Sequence, residues 1–305
     1  MRILIVGAGA IGGYFGGRLV EKGEDVTFLV RKKRKQQLEQ SGLKITSVHG
    51  DMEATPTLLL SGEDCTPFDV VLLSIKSYQL EGAINDLKPY VSTDTMIVPL
   101  LNGISHIKKL VEAFGEDSVL GGLCFIETTL DSDGTIVQSS PIHDLIFGER
   151  DGQVTERIRK LEALFSDTRA TFQLSKNINQ DMWHKYSFIT ALSGVTSLFR
   201  APIGPIREQE SGFRMTADLL NEISTVMKKV NAPIKSNLPE LQLEKMLQMG
   251  HSMKSSMQRD MEKSFPTEAD HLQGFLLEKA LEHQVETPIL HAVYANLKIY
   301  EALLD

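Results

Sequence analysis

A glycine-rich turn close to the start of the sequence constrains this chain more than any other feature. An apolar run at residues 2–6 leads directly into a G-x-G-x-x-G sequence, Gly7-Ala8-Gly9-Ala10-Ile11-Gly12. Gly7 allows a tight turn out of a strand, Gly9 lets the backbone approach a pyrophosphate, and Gly12 lets the next helix pack close to the sheet. A ligand-free glycine turn is the alternative, but the strand before the motif and the helix after it are the context of dinucleotide binding.

The composition limits the class of protein. The chain has 305 residues, enough for two domains with separate cores. Its formal net charge of −8 argues against a broad nucleic-acid-binding face. We expect no signal peptide and no membrane partner, since no apolar run approaches the roughly 18 residues that span a bilayer. Cys65 and Cys124 form no metal-binding or disulfide pattern, and free thiols fit a cytoplasmic location.

A basic run indicates which dinucleotide would bind. The second predicted strand, residues 25–30, is followed by Arg31-Lys32-Lys33-Arg34-Lys35, where NAD-binding folds usually carry an acidic residue. A guanidinium can bind a 2′-phosphate through two parallel hydrogen bonds. We therefore predict NADP(H), with Arg31 as the phosphate ligand and Lys32 or Arg34 in support. Alternatively, part of the run is the solvated face of a helix over residues 32–40.

Two later strands end in polar residues. Residues 68–75 predict a buried parallel strand followed at once by Lys76, and residues 95–101 predict a strand followed by Asn102. Ligands bind at the carboxyl ends of strands in open α/β sheets, which makes both residues candidates. An exposed loop lysine and an Asn-Gly turn are the alternatives.

The pattern changes near Asn177, from mixed strands and helices to helices alone. We predict an α/β Rossmann-type dinucleotide-binding domain at residues 1–176 and an all-α domain at residues 177–305. In the first domain the sequence pattern also predicts a turn at Gly50-Asp51 and helices at 104–114 and 156–165. It predicts further strands at 42–53, 57–60, 118–129, 135–139 and 171–174, and a strand at 145–148 that closes the sheet.

The helical half carries few candidates for chemistry. Lys185, Ile189 and Ser193 share one helix face, and a lysine among apolar neighbours can be desolvated and act as an acid. The alternative is a lysine that reaches the surface.

A second candidate in this half is Glu268. Thr267 and Asp270 predict a capping box, which would place Glu268 in the first turn of a helix, where the dipole alone favours a glutamate. His184 and His271 are predicted to be structural or exposed, and no metal-ligand spacing occurs.

Taken in order, these motifs resemble those of the 2-dehydropantoate 2-reductase (ketopantoate reductase) family, among the 6-phosphogluconate-dehydrogenase-like enzymes. The resemblance covers nearly the whole chain. It rests on the glycine motif, Arg31, Ile75-Lys76, Leu101-Asn102-Gly103, Trp183-His184-Lys185, residues 255–260, Thr267-Glu268 and Gly274-Phe275.

The resemblance implies a role for each matched residue. Lys76 and Arg31 would contact NADPH, and Asn102 would lie between nicotinamide and substrate. Lys185 would be the general acid for the ketone oxygen, and Glu268 would bind the substrate hydroxyl and help to hold Lys185. Ser256 would bind the substrate carboxylate. Dimerisation through the helical domain is also implied.

The sequence departs from the family pattern on the substrate side. Asparagines usual in the family are replaced by Ile189 and Ser193 and, in the next loop, near Ile203, while Gln273-Gly274 stands for Asn-Gly. Our hypothesis is NADPH-dependent reduction of 2-dehydropantoate to (R)-pantoate for pantothenate and coenzyme A synthesis, with Ser193 as a further substrate residue. The alternatives are a reductase of another branched 2-oxo acid and an NADP-binding regulatory protein without turnover. Residues 123–130 are expected to border the nicotinamide without being assigned individually.

Overall fold

The computed structural model describes residues 1–304, which form two compact units. The first unit comprises residues 1–101 and 106–179. The second comprises residues 102–105 and the chain from Gln180 onward. The short segment 102–105 therefore belongs to the second unit, although the residues on both sides of it belong to the first.

The first unit combines strands with helices. Its strands are β1 Arg2–Val6, β2 Asp25–Leu29, β3 Leu43–Ser47, β4 Met52–Ala54, β5 Thr57–Leu59, β6 Val70–Leu73, β7 Met96–Pro99, β8 Gly121–Leu130, β9 Ile136–Gly148 and β10 Thr171–Leu174. The helices that accompany them are α1 Ala10–Lys22, α2 Lys32–Ser41, α3 Leu80–Leu87, α4 Ser105–Phe114 and α5 Glu156–Phe165, with 3₁₀ turns at Ser77–Gln79 and Lys88–Tyr90.

Five of the strands form a parallel sheet in the order β5-β2-β1-β6-β7. All four residues of β6 are buried, as the continuous apolar run predicts. The Rossmann-type fold is therefore confirmed. The parallel arrangement brings the carboxyl ends of β1, β2 and β6 to one edge of the sheet.

The remaining strands form a second sheet, and the expectation that residues 145–148 close a single sheet is wrong. Those residues are the end of β9, which pairs with β8 and β3 and lies parallel to β10. The predicted turn at Gly50 is present, but residues 42–53 form the antiparallel pair β3 and β4 around it. Alternation of apolar residues identifies a strand without identifying its partner.

Glycines let α1 pack tightly between the two sheets. A Cβ on Gly16 would lie 2.7 Å from the Phe28 ring of the first sheet, and one on Gly17 would lie 2.6 Å from Ile45 of the second. The helix ends at Gly23, whose φ of +96° is the left-handed conformation that glycine accepts. From the sequence, a glycine directly after the predicted helix also indicates its end at Gly23, and the structure confirms this.

The second unit is helical. Its helices are α6 Ile178–Phe199, α7 Ile203–Glu208, α8 Glu210–Lys229, α9 Leu238–Gln248, α10 Ser256–Glu262, α11 Phe275–Glu282 and α12 Pro288–Ala302. One π-helical turn, Asp270–Gly274, precedes α11. Within residues 1–304, no helix combines the length and the apolar character that crossing a bilayer requires.

The capping box predicted around Glu268 does not form. The Asp270 carboxylate accepts hydrogen bonds from Tyr294 Oη at 2.7 Å and Lys298 Nζ at 3.0 Å, so it does not bind back to Thr267. Thr267 Oγ1 accepts from the Ala269 amide at 3.3 Å. Tyr294 and Lys298 of α12 therefore take the place of the predicted bond between Asp270 and Thr267. Glu268 lies directly before the helical residues and not in their first turn.

Candidate active site

A cavity of about 550 Å³ lies beside the glycine-rich turn, within the first unit. The predicted cofactor residues Gly7, Ala8, Gly9 and Arg31 line it, and so do Lys32 and Arg34, the two residues predicted to support Arg31. Of the others, Ala10, Ile11 and Gly12 form the first turn of α1, and Lys76 follows the lining residue Ile75. The cavity therefore lies at the carboxyl ends of β1 and β2, where α/β sheets bind ligands.

The three motif glycines are required for different reasons. Gly7 has a φ of +94°, and a Cβ there would lie 2.2 Å from the Ser74 carbonyl oxygen. A Cβ on Gly12 would lie 2.2 Å from the carbonyl oxygen of Gly7. A Cβ on Gly9 would meet nothing within 4 Å. Packing thus explains Gly7 and Gly12, whereas no protein atom fills the space beside Gly9.

Arg31 and Arg34 have different surroundings. Arg31 is exposed at the N-terminal end of α2, on the wall of the cavity. Arg34 Nε donates to the carbonyl oxygen of Ala8 at 3.0 Å, and its terminal nitrogens donate to that of Gly134 at 3.2 Å. Arg34 therefore joins the glycine turn to the β8–β9 turn. Arg31 remains exposed at the cavity wall.

Sequence reasoning missed several residues of this cavity. Ser61 and Asp86 line it, and Ser61 Oγ donates to Asp86 Oδ1 at 2.6 Å. No motif marks Ser61 and Asp86, because one follows β5, the other lies on α3, and they meet only in the folded unit. Leu130, at the end of β8, also lines the cavity and belongs to the segment 123–130, which is expected to border the nicotinamide.

In the second unit, the two predicted catalytic residues are both buried. Lys185 on α6 and Glu268 are each 8% exposed. A buried lysine and a buried carboxylate are costly unless they are paired or functional. Burial argues against the alternative of a lysine that reaches the surface.

The π turn is bonded to α6 near Lys185. Tyr186 Oη donates to the carbonyl oxygen of Leu272, and complete burial raises the pKa of this phenol well above its ordinary value, which keeps the donor protonated. Gln273 Nε2 donates to the Thr190 carbonyl oxygen at 3.2 Å and to Ser193 Oγ at 3.0 Å. Ser193, a predicted substrate residue, is 4% exposed and already bonded by Gln273.

The other predicted substrate residues have unequal surroundings. Ser256 is exposed on the first turn of α10, whereas its neighbour Ser255 is buried and caps that helix by accepting from the Gln258 amide at 3.1 Å. Ile189 is half-buried one turn after Lys185. Ile203 is 1% exposed and belongs to the core.

Asn102 is held by a histidine that sequence reasoning set aside. His271 is half-buried, and its Nε2 donates to the carbonyl oxygen of Asn102 at 2.6 Å. The pattern of a lone helical histidine gave no signal for this contact. Among the described residues, no group of three or more His, Cys, Asp or Glu side chains could hold a metal ion.

A dinucleotide-type cavity in an α/β unit, together with a helical unit that buries a lysine and a carboxylate, defines a two-domain oxidoreductase. Models of the ketopantoate reductase PanE/ApbA family match residues 3–152, and those of its C-terminal domain match residues 177–301. The chain belongs to the ketopantoate reductase family.

Similar proteins cover the chain almost end to end. The uncharacterized oxidoreductase YkpB of Bacillus subtilis is 48% identical, with 99% of both chains covered. A 2-dehydropantoate 2-reductase of Aquifex aeolicus is 25% identical, covering 99% of this chain and 97% of its own. The crystal structure of 2-dehydropantoate 2-reductase from Methylococcus capsulatus is 27% identical, with a TM-score of 0.88, and covers 100% of this chain and 98% of its own.

Proposed function

We propose that this protein catalyses the NADPH-dependent reduction of 2-dehydropantoate (ketopantoate) to (R)-pantoate, in the biosynthesis of pantothenate and coenzyme A. The observation that carries the proposal is the burial of Lys185 and Glu268 in the helical unit of a chain whose α/β unit has a dinucleotide-type cavity. Family membership and the relatives named 2-dehydropantoate 2-reductase support it.

The chemistry assigns one task to each residue. The glycine turn and Arg31 would hold NADPH, which would supply the hydride that adds to C2 of the keto acid. Lys185 stabilises the negative charge that develops on the ketone oxygen and then donates a proton to it. Glu268 accepts a hydrogen bond from the substrate hydroxyl and orients the Lys185 ammonium. Ser256 binds the substrate carboxylate, while Asn102 and Lys76 contact the nicotinamide side.

The proposal includes a preference for NADPH, which rests on Arg31. We expect Arg31→Asp to weaken NADPH binding about 10–100-fold and to leave NADH binding nearly unchanged, because a charged hydrogen bond is worth about 1.5–3 kcal/mol. Fluorescence titration with both dinucleotides measures this difference. Lys33→Asp, an exposed change of equal charge in the same run, is the control. Equal weakening of both dinucleotides would contradict the 2′-phosphate assignment.

A second candidate function keeps the reaction and changes the substrate to a branched 2-oxo acid without a hydroxyl group. Two observations favour it. Ile189 places an apolar side chain one turn after Lys185, and the Ser193 hydroxyl already accepts a hydrogen bond from Gln273 Nε2. A substrate hydroxyl that loses its partner on binding costs about 1–3 kcal/mol.

Two substrates that differ only in that hydroxyl separate the candidates: ketopantoate and 3,3-dimethyl-2-oxobutanoate. If ketopantoate is the substrate, we expect its kcat/KM to be at least about 10-fold higher, since a site built for a hydroxyl rejects the analogue without it. Loss of NADPH absorbance gives both rates. A higher kcat/KM for the dimethyl acid would favour the second candidate, and no turnover with either would favour a binding protein.

We further propose that the functional domains are residues 1–176 and 177–305, that the protein acts in the cytoplasm, and that it forms a homodimer through the helical domain. Neither Cys65 nor Cys124 forms a disulfide bond, which fits a reducing compartment. Sedimentation analysis with and without NADPH tests the oligomeric state.

A further inference from the structure

The segment 102–105 is held at both ends by one imidazole ring. His271 Nε2 lies 2.6 Å from the carbonyl oxygen of Asn102, and His271 Nδ1 lies 2.9 Å from Ser105 Oγ. A carbonyl oxygen can only accept, so Nε2 carries a proton, and in the neutral ring Nδ1 then accepts from the Ser105 hydroxyl. Both ring nitrogens are thereby used to hold the segment.

The chain between these two contacts is adapted to the ring. Gly103 has a φ of +83°, and a Cβ there would lie 2.8 Å from both Nε2 and Cδ2 of His271. A side chain at this position would displace the ring. Glycine therefore allows both the backbone conformation and the close approach of the imidazole.

His271 belongs to the π turn 270–274, which is also hydrogen-bonded to α6. Three successive residues of the π turn each make a contact: His271 with the segment 102–105, the Leu272 carbonyl oxygen with Tyr186 Oη, and Gln273 with Thr190 and Ser193. The Leu272 amide in turn donates to the Glu268 carbonyl oxygen at 3.0 Å. Insertion of a π turn is frequent at functional sites. Here it connects Asn102, Glu268 and the helix that carries Lys185.

We propose that His271 is a positioning residue for the reduction, which sets the Asn102 backbone relative to Lys185 and Glu268. The inference rests on the proposed function of those three residues and adds a residue that acts through them. Misplacement of a reacting group by about 1 Å can cost about 100-fold in rate. His271 does not have to touch the substrate for this effect.

The test compares two variants that each remove hydrogen bonds from the π turn. His271→Phe keeps an aromatic ring and loses both contacts with the segment 102–105. Tyr294→Phe, the matched control, loses the bond to Asp270 and leaves that segment untouched. We expect His271→Phe to lower kcat about 10–100-fold, to increase the deuterium isotope effect on kcat with deuterated NADPH, and to leave NADPH affinity within about 2-fold. Tyr294→Phe is expected to resemble the wild type.

A second readout reports on the segment without relying on activity. Amide hydrogen exchange in peptides covering residues 102–106 should accelerate in His271→Phe and not in Tyr294→Phe. His271→Gln, which retains a donor and an acceptor, should restore part of kcat. Unchanged exchange, or faster exchange with unchanged kcat, would overturn the positioning role. A wild-type chain that reduces no 2-oxo acid would overturn the proposed function itself, whatever the exchange shows.

Discussion

Lys185→Ala is expected to lower kcat by about 10²–10⁴-fold and to leave NADPH affinity nearly unchanged. General acid catalysis by a positioned side chain contributes about that factor, and the ammonium also stabilises the developing alkoxide. Lys185 is 8% exposed, and a charge in a buried site acts more strongly on a nearby oxygen than it does in water. Steady-state reduction of the best 2-oxo acid and a separate NADPH titration measure the two quantities.

The control is Lys229→Ala, which removes an exposed lysine from α8 in the same unit. It should leave both kcat and NADPH affinity unchanged. Unchanged turnover in Lys185→Ala would remove Lys185 from the mechanism. A parallel fall in the melting temperature would show that the lost activity reflects damage to the fold.

Gly12→Ala is expected to lower the stability of the fold and Gly9→Ala to lower dinucleotide affinity, although both residues lie in one motif. At Gly12 a methyl group would lie 2.2 Å from the Gly7 carbonyl oxygen and 3.0 Å from Ser74 Cβ. The turn and α1 must then move apart, and overpacking of this kind costs about 1–3 kcal/mol or more of unfolding free energy. We expect a lower melting temperature even without a ligand.

At Gly9 a methyl group meets no protein atom within 4 Å. Gly9→Ala should keep the wild-type melting temperature and lose dinucleotide affinity, because the methyl group stands where the pyrophosphate approaches the backbone. Thermal unfolding with and without NADPH separates the two effects. Wild-type NADPH affinity in Gly9→Ala would contradict the placement of the pyrophosphate beside this residue.

Much of the fold was predictable from local patterns. The apolar run of β6, the glycine that ends α1 and the helical spacing of α5 each identified an element correctly. These signals work because burial, turn conformation and side-chain period are properties of consecutive residues. Strand ends were less well predicted. The predicted strand 68–75 is longer than β6, because pairing ends at Leu73 and the next two residues, Ser74 and Ile75, are only half-buried.

The candidate site was predicted only in part. The glycine turn and Arg31 line one cavity, as the motif and the strand end imply. Ser61 and Asp86 line the same cavity, but only folding brings their segments together. Likewise, Asp270 matched a capping pattern with Thr267, yet Tyr294 and Lys298 of α12 bind its carboxylate. A local motif does not show that groups on a distant helix will bind the same carboxylate.

The sequence by itself determined the α/β fold of the first unit, the helical nature of the second and the family to which the chain belongs. The two folds follow from spacing along the chain, which short-range sterics and burial translate directly into structure, whereas the family follows from the resemblance of the motifs. Only the tertiary structure decided that a second sheet exists, that Gln273 donates a hydrogen bond to Ser193 and that His271 donates one to the Asn102 carbonyl oxygen. Each of these depends on which distant groups meet in the folded chain. A hydrogen bond needs a donor and an acceptor, and the sequence does not show which distant donor and acceptor lie together.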